Sequence, residues 1–123
     1  MSQTTTAKLE AKSIKQPDET RTFEKGKLDI VNLHGLEAGC LTLEPGWRWS
    51  EDVKPIAKTD YCQKHHVGYM LAGKLHVKMA DGTEIEQKAG DFAVTPPGHD
   101  AWVVGDETVL LLDFQGVHDY AKK

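Results

Sequence analysis

Short apolar runs alternate with polar residues along most of this chain, and no segment keeps the 3.6-residue period of a helix over ten residues. Segments such as KLDIVNL (27–33), KLHVKM (74–79) and TVLLLDF (108–114) have the length and residue types of β-strands. Glycine and proline turns separate these runs, and Asp81-Gly82 predicts a tight hairpin. The pattern predicts about eight to ten strands in an all-β domain, folded as a sandwich or a barrel.

Three stretches carry more specific structural predictions. Trp47 and Trp49 alternate with polar residues in GWRWSED (46–52), which predicts a strand with one aromatic face. The polar stretch 50–60 is predicted to be a loop. The segment GVHDYAKK (116–123) is the single helix candidate.

The length and composition predict one domain with a polar arm. At 123 residues the chain has the length of a single domain. Residues 1–20 are polar and predict an N-terminal arm or a strand that orders late, and residues 21–123 are predicted to form the domain itself.

Charge, hydropathy and cysteine content argue against several classes of protein. The net charge of −4 and the isoelectric point near 5.8 argue against a nucleic-acid-binding protein, which would carry a basic face. No apolar stretch approaches the roughly 18 residues of a membrane span, and the N-terminus lacks an apolar signal core. We therefore expect a cytoplasmic protein. Cys40 and Cys62 do not form a disulfide framework in such a chain.

Two segments resemble the motifs of the cupin superfamily of small β-barrels. HHVGYMLAGKLHV (65–77) is similar to the end of the first cupin motif, G-x5-H-x-H-x(3,4)-E-x6-G, and GDFAVTPPGHDAW (90–102) is similar to the second, G-x5-P-x-G-x2-H. In the second segment, Gly90, Pro96 and Gly98 keep the spacing of the motif. The resemblance covers most of the chain. It implies a cupin-type double-stranded β-helix, or jelly-roll barrel, that forms a homodimer to protect its sheet edges.

The ligand positions of that family carry other residues in this chain. We counted back from Gly73 for the first motif and forward from Gly90 for the second. The corresponding positions are Thr59 or Asp60, Tyr61 or Cys62, His66, and Ala101. The usual set of three histidines and one glutamate is therefore absent, and a rearranged set takes its place.

Strand parity sorts the candidates for a metal site. Successive side chains point to opposite faces of a strand, so His66 points into the barrel if it takes the place of the glutamate, while His65 points outward. Imidazole and thiolate donors together suit Zn, Fe or Cu, and a carboxylate broadens the choice. We predict a divalent metal, with Zn, Fe, Ni and Mn as candidates. The predicted ligands are His66, His99 and Cys62, with Asp60 and Asp100 as auxiliary ligands or proton acceptors.

Each candidate also has a purely structural interpretation. His66 and His99 can hydrogen-bond within a polar barrel mouth, and Cys62 can act as a small buried apolar residue. Four further residues are candidates for a ligand pocket, although such residues more often fill a core or a dimer face. They are Met70, Trp47, Trp49 and Trp102.

The sequence supports two hypotheses about function. The first is a divergent cupin that binds a metal ion and a small organic molecule in the barrel. The resemblance then permits oxygenase, isomerase or lyase chemistry. The second is a metal-free cupin that binds a small ligand, or serves as an interaction module, without catalysis. Metal analysis separates the two.

Overall fold

The structure of the protein, a computed structural model, describes residues 9–123, and antiparallel β-strands dominate this part of the chain. Two short helices lie between the third and fourth strands, and no helix among the described residues could cross a bilayer. The elements are β1 (Glu19–Phe23), β2 (Gly26–Leu33), β3 (Leu36–Leu43), α1 (Trp49–Asp52), α2 (Lys54–Ala57), β4 (His66–Ala72), β5 (Lys74–Met79), β6 (Glu84–Lys88), β7 (Phe92–Thr95), β8 (His99–Val103) and β9 (Val109–Gln115).

The strands form two sheets with the core between them. The larger sheet has the order β1-β2-β3-β9-β4-β7, and the smaller has the order β6-β5-β8. Strand β9 inserts between β3 and β4, although it is the last in the chain, so the connections cross over as in a jelly roll. The all-β prediction is confirmed, and so is the hairpin at Asp81-Gly82, which joins β5 to β6.

Apolar side chains from the inner faces of both sheets fill the barrel. Leu28 and Ile30 come from β2, Met70 from β4 and Val109 from β9, and all four are fully buried. The alternation of buried and exposed residues along β2, β3 and β8 follows the two-residue repeat of a strand. This repeat also decides which polar side chains reach the interior.

The predictions for residues 46–52 and 50–60 were wrong in part. Only Arg48 makes a strand-like bridge, and the chain then turns into α1 and α2. The Asp52 carboxylate accepts a hydrogen bond from the Arg48 backbone N–H at 2.9 Å, which stabilises the first helical turn. Pro55 lies in the first turn of α2, where a proline costs no hydrogen bond.

The predicted helix over residues 116–123 is absent, and the tail forms turns. Arg21, which is buried, donates hydrogen bonds to the carbonyl oxygens of Val117, Tyr120 and His118 at 2.7, 2.8 and 2.9 Å. The guanidinium thus takes three of the carbonyl acceptors that a helix would use for its own backbone. This buried cation holds the tail against β1.

The predicted N-terminal arm, residues 1–20, lies partly outside the described residues. Residues 1–8 are not described. Residues 9–18 form neither strand nor helix, and β1 begins at Glu19.

Candidate metal centre

Three potential metal-ligand side chains converge at one end of the barrel. His66 begins β4 and His99 begins β8, while Cys62 lies in the segment before β4. Backbone hydrogen bonds fix this arrangement: the Cys62 N–H donates to the His99 carbonyl at 2.8 Å. One donor atom from each of the three side chains lies within 4.8 Å of the other two.

A buried carboxylate orients His66. The His66 Nδ1–H donates to Asp113 Oδ2 at 2.6 Å, and Asp113 is almost completely buried on β9. Because Nδ1 is engaged, Nε2 is the ring nitrogen that faces the cluster, and it lies 3.6 Å from Cys62 Sγ. Metal-binding histidines commonly have such a carboxylate partner, which fixes the ring and makes it more basic.

A glycine makes room for this pair. Gly116 has a φ of +105°, and a Cβ built there would lie 2.7 Å from His66 Nδ1 and 2.6 Å from the His65 carbonyl oxygen. Any side chain at this position would be strained and would also push against the imidazole. The close approach of the chain at Gly116 thus helps to set the position of His66.

The ring of His99 is oriented by a different acceptor. Its Nδ1 lies 2.6 Å from the Pro96 carbonyl oxygen. A carbonyl only accepts hydrogen bonds, so Nδ1 carries the proton and Nε2 keeps its lone pair for a ligand. The two imidazole rings meet edge to face, with centroids 5.4 Å apart.

Within the cluster, Cys62 and His66 form a pair of opposite charges. Burial of Cys62 alone would raise the pKa of its thiol, but hydrogen bonds and charge from His66 and His99 outweigh burial and lower this pKa to about 6. Burial likewise opposes the charged form of His66, but Asp113 and Cys62 raise its pKa to about 9. Without a metal, the pair is therefore a thiolate and an imidazolium near pH 7, a protonation state that already supplies the anionic sulfur that metals bind.

A small cavity adjoins the cluster inside the barrel. Its volume is about 40 Å³, and its walls include His66, His99, Trp47, Trp49 and Tyr120 together with apolar residues of both sheets. The indole N–H groups of both tryptophans are buried and lack a hydrogen-bond partner. A second pocket of about 280 Å³ lies between the helices and the C-terminal tail, and Cys62 is among the residues that line it.

The structure separates the predicted site residues into two groups. Cys62, His66 and His99 come together, and Trp47 and Trp49 line the cavity beside them. Asp60 is almost fully exposed and pairs with Lys54 at 3.5 Å. It does not join the three donors.

Asp100 also makes contacts away from the three donors. Its Oδ1 accepts the Ser50 backbone N–H at 3.0 Å, and its Oδ2 lies 3.6 Å from the Arg48 guanidinium. Asp100 thus anchors the start of α1 to β8 and stays outside the cluster of donors.

The other predicted pocket residues lie elsewhere. Met70 is fully buried in the core. Trp102 lies in the outer face of β8, where the Arg48 guanidinium covers its ring at 4.1 Å. His65 is exposed, in agreement with the parity argument.

Asp113 and Tyr120 were not predicted as part of the site. Asp113 is the only charged residue in the apolar run TVLLLDF, and a carboxylate within a strand covered on both faces needs a buried partner. That signal was available in the sequence. Tyr120 gave no such signal, because its ring reaches 5.4 Å from the His66 ring only when Arg21 holds the tail in place. Burial raises the pKa of Tyr120 well above its ordinary value.

Comparisons with known proteins relate this chain to others through its fold. No family model and no curated protein matches the sequence. Among solved structures, ethanolamine utilization protein Q of Salmonella typhimurium is similar, with 18% identity and a TM-score of 0.51, over 74% of this chain and 69% of that chain. A cupin-like protein of Thermotoga maritima has 14% identity and a TM-score of 0.54, over 76% of this chain and 71% of that chain.

A point mutant of oxalate decarboxylase from Bacillus subtilis has a similar fold. The identity is 26% and the TM-score is 0.51, over 77% of this chain but only 27% of that longer chain. These neighbours and the two-sheet barrel agree with the motifs around Gly90 and Pro96. The protein is a cupin by fold, with an altered set of potential metal ligands.

Proposed function

We propose that this protein is a metal-binding cupin that holds one ion between Cys62, His66 and His99 and binds a small molecule beside it. The observation that carries the proposal is the convergence of the three donors, with Nδ1 of each histidine already hydrogen-bonded. Nε2 of both histidines and the Cys62 sulfur are therefore directed to one place, and the proton that His66 Nε2 carries in the metal-free pair would be released when a metal binds. Such outer hydrogen bonds are typical of metal-binding histidines.

One distance between the donors fits a tetrahedral ion, and the three donor atoms all lie within 4.8 Å of one another. Zn–S and Zn–N bonds of about 2.3 and 2.05 Å at a tetrahedral angle would place sulfur and nitrogen about 3.6 Å apart. The observed distance between Cys62 Sγ and His66 Nε2 is 3.6 Å. One sulfur and two imidazoles suit Zn²⁺ and also accept iron or copper. The metal would supply Lewis-acid polarisation or an activated water.

Three protein ligands leave a position open for water or substrate, which is the feature of catalytic metal sites. The inner cavity of about 40 Å³ has room for about three water molecules, so only a small group fits there. The pocket of about 280 Å³ shares Trp49 and Tyr120 with this cavity and has the volume for the rest of a small organic molecule. We infer a small polar substrate. Oxygenation, isomerisation and lyase reactions are the candidate classes, and one fold neighbour, oxalate decarboxylase, is named for a lyase reaction.

Cobalt substitution and metal analysis test this proposal. Protein purified without a histidine tag or chelator should contain about one metal ion per chain. The Co²⁺ form should show a thiolate-to-metal charge-transfer band that disappears in Cys62→Ser. Cys40 is the matched control because it is the other free cysteine, so Cys40→Ser should keep the band. A metal content close to zero after incubation with Zn²⁺, Fe²⁺ or Cu²⁺ would contradict the proposal.

A second candidate function needs no metal. Cys62, His66 and Asp113 stand in the order thiolate, imidazolium, carboxylate, which is how a nucleophilic cysteine is activated. Cys62 lines the outer pocket and is 2% exposed, so this pocket is the route by which a small ligand would reach the sulfur. In this case the metal-free protein would form a covalent adduct at Cys62 with a small electrophile such as iodoacetamide. Zn²⁺ would not protect the thiol, whereas under the first proposal it would.

A further inference from the structure

The three donors of the candidate metal centre border two different spaces. His66 and His99 line the inner cavity, whereas Cys62 lines the outer pocket, the one of about 280 Å³ between the helices and the tail. Trp49 and Tyr120 line both spaces. A ligand must therefore pass these two aromatic side chains on its way from the outer pocket to the imidazoles.

The two aromatic side chains are held in different ways. Trp49 begins α1 and is almost completely buried in the core, and the same helix is bonded to Asp100 of β8. Tyr120 belongs to the C-terminal tail, residues 116–123, which contains neither strand nor helix. The backbone hydrogen bond from the Tyr120 N–H to the Val117 carbonyl is 3.2 Å long. Tyr120 is therefore the side chain that a local movement of the chain can displace.

One buried side chain, Arg21, holds the tail in place. Its guanidinium donates to three tail carbonyl oxygens, those of Val117, Tyr120 and His118, at 2.7, 2.8 and 2.9 Å. Its Nε also donates to Glu19 at 2.7 Å, so the guanidinium stays in a fixed orientation. Hydrogen bonds from a charged donor are stronger than those between neutral groups. Since one of the acceptors is the carbonyl of Tyr120 itself, Arg21 sets the position of the ring.

The backbone beside Tyr120 works against this position. Ala121 has a φ of +53°, in the left-handed region that a residue with a Cβ adopts only at a cost in free energy. Release of the tail would remove this strain. The closed position therefore depends on the contacts that Arg21 makes with the carbonyl groups.

We propose that the C-terminal tail is a gate, in which Tyr120 closes the passage to His66 and His99 and Arg21 holds the gate shut. Release of the tail would join the outer pocket to the inner cavity and expose Cys62. The closed gate would keep bulk water and large molecules away from the centre, as mobile loops do in many binding sites. The gate controls access with or without a metal, so its failure would leave the metal proposal untouched.

Alkylation of Cys62 with two reagents of different size tests the gate. The metal-free protein carries Cys40→Ser, and mass spectrometry follows the reaction with iodoacetamide and with iodoacetamidofluorescein. Both reagents have the same reactive group, so a change in thiol ionisation alters both rates alike, and the ratio of the rates reports the width of the path. Because Cys62 is 2% exposed, the bulky reagent should react much more slowly with the wild type.

Two variants should open the gate. Arg21→Lys keeps the charge but loses the planar fork, so the rate of the bulky reagent relative to iodoacetamide should rise by about tenfold or more. Tyr120→Ala removes the ring and leaves the carbonyl for Arg21, and it should raise the same ratio. Lys64→Gln is the matched control. It removes a cation that contacts the tail at Asp119 from the surface, at 3.7 Å, and should leave the ratio unchanged.

Hydrogen exchange separates a gate from a general loss of structure. In Arg21→Lys the amides of residues 117–123 should exchange faster, while those of β4 and β8 keep their wild-type rates. Two outcomes would overturn the proposal. One is a rate ratio that stays at the wild-type value in both Arg21→Lys and Tyr120→Ala. The other is faster exchange in β4 and β8 to the same extent as in the tail, which would show that Arg21 supports the whole barrel.

Discussion

Two of the histidine–carboxylate pairs among the described residues have almost the same geometry but different surroundings. His66 and Asp113 are 2.6 Å apart, and His76 and Glu84 are 2.7 Å apart. The Asp113 side chain is 1% exposed, whereas that of Glu84 is 45% exposed. A short contact between imidazole and carboxylate is therefore not by itself a sign of a functional site in this protein.

The neighbours of the two rings make the difference. His66 faces the Cys62 sulfur and the His99 ring in the interior. His76 stacks on Trp102 at the surface, with ring centroids 4.7 Å apart. In the interior a charge needs a partner, so thiolate, imidazolium and carboxylate depend on one another. At the surface, water solvates each group separately.

The largest expected effect is the loss of metal binding when His66 is removed. His66→Ala leaves two of the three protein ligands, and we expect metal affinity to fall more than a hundredfold, since losing even an outer partner costs 10- to 100-fold. His76→Ala, in the other pair, should bind metal like the wild type. Competition with a chromophoric chelator measures both. Equal affinity in the two variants would show that the interior pair is not a metal site.

The second expected effect is on the ionisation of Cys62 in metal-free protein. The pKa of Cys62 is lowered to about 6 and that of His66 is raised to about 9, from 9.0 and 6.5. Cys62 contributes stability that is lost as pH falls through about 6, and His66 contributes stability that is lost as pH rises through about 9. Between about pH 6.5 and 9 the two contributions to the pH dependence of stability cancel, because folding moves a proton from the thiol to the imidazole.

This ionisation is measured by the ultraviolet absorbance of the thiolate in a Cys40→Ser background. The Cys62 thiolate should appear with a midpoint near pH 6. In His66→Gln the midpoint should move upward, because burial remains and a principal opposing cation is gone. Glu84→Gln, in the surface pair, should leave it unchanged. A midpoint that stays near pH 6 in His66→Gln would show that His66 does not stabilise the thiolate.

The third expected effect concerns the carboxylate partners. Asp113→Asn keeps the shape of the side chain but removes its charge, and metal affinity should fall by about 10- to 100-fold. Glu84→Gln makes the same chemical change at the surface and should leave the affinity unchanged. Isothermal titration with Zn²⁺ compares the two. A larger loss of metal affinity in Glu84→Gln than in Asp113→Asn would contradict the role of Asp113 as the partner of a metal ligand.

Sequence patterns predicted the fold well because the strands and turns are determined by residue types close together in the chain. The two-residue alternation and the spacing of Gly90, Pro96 and Gly98 depend only on neighbouring residues, and the structure confirms the all-β cupin barrel. The segment 46–60 was harder to predict. Its helices depend on hydrogen bonds to Asp52 and to Asp100, and the second of these is distant in sequence.

The candidate site also contains some residues that local signals predicted and others that depend on contacts distant in sequence. His66 and His99 were selected by motif position and strand parity, which are local signals. Asp113 and Tyr120 come from the last strand and the tail, and they reach the centre through a strand crossover and the contacts of Arg21. No periodicity in the sequence shows that residues so far apart along the chain lie close together in the fold. The outward position of Trp102 follows from parity with the buried Ala101, once β8 is known to begin at His99.

The smallest expected effect comes from the glycine beside the interior pair. Gly116→Ala introduces a Cβ against His66 Nδ1, and it also requires alanine to adopt a φ of +105°. Gly82→Ala is the matched control, because Gly82 has a φ of +94° but no atom within 4 Å of an added Cβ. Both variants should lose about 1–3 kcal/mol of stability from backbone strain.

Metal affinity separates the two glycine variants. Gly116→Ala should weaken Zn²⁺ binding by several-fold, because the displaced ring no longer aligns with Cys62 and His99, and a misplaced ligand costs affinity. Gly82→Ala should bind Zn²⁺ as the wild type does once both proteins are folded. Thermal denaturation with and without Zn²⁺ gives the measurement, since bound metal adds stability in proportion to the logarithm of its affinity. If Zn²⁺ stabilised both variants equally, the position of His66 would be set by Asp113 without help from Gly116.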